Sequence, residues 1–138
     1  DLVGRKITGD GGLGIKELIL EMKSFANQTS LDTLLSKAQL DRFKESLTAL
    51  EEASALVLNN SENKHYVGMI AFDMLMMSGT IAAAWQMLKS LEKAKGAFEN
   101  KMVSSDVFES KTKSVGHFVD SILPRYLAHF TTISSTSC

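Results

Sequence analysis

Cysteine occurs once in this chain, as the last residue, Cys138, so no disulfide within the chain can hold the fold. From that position prenylation is not expected, since it needs the cysteine fourth from the end. Proline also occurs once, as Pro124, and aromatic residues make up only 7 % of the chain. With strand-like alternation of apolar and polar residues absent as well, the sequence reads as all-α. There is no surplus of charge: 15 basic residues stand against 16 acidic ones, which argues against a general nucleic-acid binder. No signal-peptide pattern is present, and a reducing, cytoplasmic setting is expected. The chain opens on Asp1-Leu2-Val3-Gly4 without an initiator Met, as a segment expected to follow something upstream.

What is present is dominated by one stretch, His65 to Phe98. Steps of four and three give Tyr66, Ile70, Asp73, Met77, Thr80, Ala84, Met87, Leu91, Ala94 and Phe98, a heptad seam on one long helix. Met69, Phe72, Met74, Met76, Ile81 and Leu88 flank that seam, so the helix is apolar on nearly every side and is expected to bury most of its surface among neighbours. Met69 to Leu88 also lacks Lys and Arg and is long enough to cross a bilayer. Asp73, Ser78, Thr80, Gln86 and a weakly hydrophobic run from Gly79 argue against a membrane span, and the remaining helices need an apolar surface to cover.

Around this helix the chain divides simply. Residues 1–12 read as a connecting segment ending in the turn-rich Thr8-Gly9-Asp10-Gly11-Gly12. A first helix starts near Leu13, with Ile15, Leu18, Met22 and Phe25 on one face. Ser30 or Asp32 is placed to cap a second, whose seam runs Leu40, Phe43, Leu47, Leu50, Ser54 and Val57. Lys95-Gly96 begins the end of the central helix, and Ser105 or Asp106 caps a fourth that carries Phe108, Val115, Phe118, Val119, Ile122, Tyr126 and Phe130. Pro124 is expected to bend it. Four amphipathic helices with short connections predict an antiparallel up-down-up-down four-helix bundle over residues 13–133, with 134–138 as a frayed tail.

Candidate chemistry is sparse. Glu62-x-x-His65 has the spacing of one half of a di-iron site, but a second copy is missing, and His117 with Asp120 is only a reversed fragment. No catalytic, cofactor-binding or metal-ligating residue is therefore assigned. Asp73 is a carboxylate on an apolar seam, which requires water or a donor; Arg125, Tyr126 and His129 are the candidate donors, and a packing role is preferred over an acid–base one. Trp85 is expected in the core, beside Ala84 and Leu88. Five of the seven methionines lie on the central helix and are read as core filling.

The opening Asp1-Leu2-Val3-Gly4-Arg5-Lys6 with Asp10-Gly11-Gly12 resembles a segment in one branch of the acyl-CoA dehydrogenases, where it follows a Tyr-Glu-Gly-Thr-type motif. The likeness continues at Gly79-Thr80-Ile81-Ala82-Ala83-Ala84-Trp85 and at Ile122-Leu123-Pro124. That branch includes methylmercaptopropionyl-CoA dehydrogenase and carries an extra C-terminal helical domain. The resemblance implies a parent enzyme that oxidises acyl-CoA to 2,3-enoyl-CoA, with a glutamate taking the proton at carbon two and FAD accepting hydride from carbon three. Both the glutamate and the FAD-holding domains would lie upstream of Asp1. The chain itself is then a non-catalytic, structural or subunit-contact domain. Its expected partners are the upstream domains of its own chain, with a homo-oligomer possible; acyl-CoA and FAD belong to the parent. Two other readings remain open: a free-standing helical interaction module using its Met-rich face, and a metal-binding bundle.

Overall fold

The computed structural model describes residues 13–136, and among these every regular element is helical. Helix α1 spans Leu13–Gln28, a short 3-10 turn covers Leu31–Thr33, α2 spans Lys37–Asn59 and α3 spans Lys64–Glu99. Helix α4, Ser105–His117, continues through a π-helical turn at Phe118–Ile122 and a 3-10 turn at Leu123–Arg125 into α5, Tyr126–Ser135, so that these pieces form one interrupted rod. The helix reaches Ser135, beyond the Ser134 at which the sequence places a frayed tail. The expected connecting segment, residues 1–12, and Cys138 lie outside the described residues.

Local chemistry sets the helix ends. Ser36, rather than Ser30 or Asp32, caps α2: its hydroxyl accepts from the Gln39 N–H, and the Gln39 side chain accepts from the Ser36 N–H. Ser30 precedes only the 3-10 turn and makes no side-chain cap bond. The reciprocal pair satisfies two N–H groups that the first turn leaves open, which a lone hydroxyl cannot do. Asn63 caps α3 through the Tyr66 N–H, and Ser104, one residue before the expected Ser105, caps α4 through the Val107 N–H. Helix α3 runs through Gly96 to Glu99 with Asn100 as its C-cap, and Lys101 just beyond adopts φ 59°. There the Met102 N–H bonds to the Ala97 carbonyl at 2.8 Å and the Lys101 N–H to the Phe98 carbonyl at 3.0 Å. This is the Schellman closure, with lysine in the left-handed position that glycine usually fills.

Pro124 has no N–H with which to continue the ladder. The chain meets this with a wide π turn just before the proline and a tight 3-10 turn through it. Both are departures that absorb a break in the regular pattern.

The core is built on α3, in a register offset from the expected one. Tyr66, Ile70, Met74, Met77, Ile81, Ala84, Leu88 and Leu91 are each at most 1 % exposed. The seam keeps Tyr66, Ile70, Met77, Ala84 and Leu91 but takes Met74, Ile81 and Leu88 in place of Asp73, Thr80 and Met87. At each of these three places two adjacent residues compete for the inward direction. Burying Met, Ile or Leu yields about 1.5–3 kcal/mol, whereas burying Asp or Thr without partners is costly. On α2 the inward residues Phe43, Leu47, Leu50, Ser54 and Val57 are buried.

The interrupted last rod packs on both α2 and α3, while α1 lies chiefly against α2. The last rod and α3 run in opposite directions, since Tyr66 meets Ile133 near one end and Phe98 stacks on Phe108 near the other. The expected burial of α3 among its neighbours is incomplete on one side. Met69, Phe72, Leu75 and Met76 all face outward. By length and composition alone this helix could cross a membrane. Its inward face, however, is taken by amphipathic helices of the same chain.

Candidate functional site

Three polar clusters tie the helices together. The first lies between α3 and α5. Asp73 sits one residue before the buried Met74, so its side chain leaves the seam sideways toward the neighbouring rod. There the His129 Nδ1–H donates to Asp73 Oδ1 at 2.8 Å, the carboxylate accepting. The two side chains are 17 % and 21 % exposed, neither sealed in the core nor open to bulk water. Phe72 places its ring edge-on to the His129 imidazole, 6.0 Å between centroids. Of the three donors considered from the sequence, His129 is the one that meets Asp73; Arg125 is exposed and Tyr126 is buried one turn earlier on the rod.

The second cluster was not foreseen. Asp120, on the π turn, accepts from Gln39 Nε2 at 3.0 Å and pairs with the Arg42 guanidinium. Gln39 thereby serves both the α2 cap and the bridge to the last rod. Gly116 lies beside this contact: a Cβ there would stand 3.2 Å from Gln39 Nε2, and the Gln39 amide would have to give by a few tenths of an ångström. Asp120 and Arg42 are separated by 78 residues, and no local spacing signals their meeting.

The third lies where α1 ends against α3. The Thr29 hydroxyl donates to Glu92 at 2.7 Å, and Lys95 Nζ donates to the Ser30 carbonyl at 3.0 Å. On the other side of α1, Lys23 bridges both oxygens of Glu51 at 2.9 Å.

Trp85 is 7 % exposed; its Nε1–H is buried without a partner, and Lys89 Nζ stands 4.2 Å over the ring. Tyr126, also buried, has its phenol pushed above the ordinary value, by burial first and by the nearby Glu45 carboxylate second. Glu62 and His65, the Glu-x-x-His pair, are both exposed. Among the described residues no three His, Cys, Asp or Glu side chains converge as a ligand set. A cleft between α1 and α2, lined by Ile19, Leu20, Ser54 and Leu58 with Lys16 and Glu51 at its rim, holds about 270 Å³. That lies just under the ~300–1,000 Å³ usual for small-molecule pockets.

The arrangement therefore orients helices. A His–Asp pair does acid–base work when the imidazole's other nitrogen faces a nucleophile or substrate atom. Among the described residues the His129 ring is hydrogen-bonded to Asp73 and to no hydroxyl or thiol. These features define an all-helical domain whose polar contacts serve its packing. Residues 18–137 match the family model described as acetyl-CoA dehydrogenase C-terminal like, and the chain belongs to that family. No curated protein and no solved structure matches the chain.

Proposed function

We propose that this chain is the non-catalytic C-terminal domain of an FAD-dependent acyl-CoA dehydrogenase, a parent enzyme that oxidises acyl-CoA to 2,3-enoyl-CoA. The observation that carries the reading is the family match over residues 18–137, nearly the whole helical body. The parent is of the branch that resembles methylmercaptopropionyl-CoA dehydrogenase, acts in the cytoplasm, and holds FAD and the catalytic glutamate in domains upstream of Asp1. The helices form an antiparallel up-down-up-down bundle that covers the catalytic part or supplies subunit contacts. Dehydrogenation needs a base at carbon two and a flavin held against carbon three at near-attack distance. The polar residues between these helices supply packing chemistry: Asp73 is occupied by His129, and Asp120 by Arg42 and Gln39.

The test is to titrate the purified chain with FAD and to follow reduction of an external electron acceptor with acyl-CoAs of several chain lengths. Neither flavin binding nor turnover above a buffer blank is expected. Stoichiometric flavin binding, or turnover, would overturn the reading.

A further inference from the structure

We draw no further inference here: the strongest candidate, the apolar cleft between α1 and α2 lined by Ile19, Leu20, Ser54 and Leu58, carries nothing, because the Ser54 hydroxyl beside it is sealed from solvent and nothing in the structure shows what covers it.

Discussion

Asp73 on α3 and His129 on α5, 56 residues apart in sequence, join at 2.8 Å across the seam between the central helix and the last rod. The bond lies beside the core, where water is mostly but not wholly excluded. Its loss removes a hydrogen bond to a charged group, worth about 1.5–3 kcal/mol when shielded, and partial exposure lowers that figure. Asp73→Ala and His129→Ala should each destabilise by about 1–2 kcal/mol. A double-mutant cycle by urea unfolding should show coupling near 1 kcal/mol. Strictly additive effects would mean that the pair does not fix the packing of these helices.

Trp85 separates size from polarity in one side chain. Its ring is in the core, and its N–H is buried without an acceptor. Trp85→Ala should cost about 3–5 kcal/mol, the usual range for a buried aromatic. Trp85→Phe should cost much less, because it keeps most of the ring volume and removes an unsatisfied donor that is itself unfavourable. Thermal or urea unfolding of both variants checks this; equal costs would show that the N–H is paired.

Lys101 holds a left-handed conformation at the end of α3. For a residue with a Cβ this costs roughly 1–2 kcal/mol, while glycine adopts it freely. Lys101→Gly should therefore stabilise the chain by about 1 kcal/mol or somewhat less, since glycine also loses more freedom on folding. A raised urea midpoint with unchanged slope is the expected record; a lowered midpoint would count against the Schellman closure.

Tyr126 makes alkaline stability depend on one phenol. Its folded-state pKa is raised above the ordinary value near 10, by burial and then by Glu45. The folded chain therefore holds that proton more tightly than the unfolded one. The resulting stability is fully present below about pH 10 and is lost as pH rises through the folded-state value. Tyr126→Phe should flatten this part of the pH–stability curve relative to wild type. An unchanged slope between the two proteins would remove Tyr126 from the account.

Much of this protein is written in its sequence. One cysteine, one proline and no strand-like alternation lead to helices. The heptad steps identify α3, and an isolated carboxylate on an apolar helix demands a donor, which the last rod provides. Spacing also finds the second seam: Phe43, Leu47, Leu50, Ser54 and Val57 all point inward. The break in the last rod around Pro124 was legible too.

The rest needed three dimensions. A heptad pattern places about one residue per turn on the seam, but where neighbours compete, as Asp73 with Met74 or Thr80 with Ile81, the cost of burying the polar one and the direction of the packing helices together choose between them. Gln39 and Arg42 meet Asp120 across 81 and 78 residues of sequence, a meeting that no local spacing encodes. An all-round apolar helix also looks the same in sequence whether three neighbours enclose it or one face stays open. Composition determined that α3 would seek apolar contact; how α1, α2 and the last rod cover it decided that Phe72 and Gly79 face outward, because burial is settled by which surfaces meet and not by the residues alone.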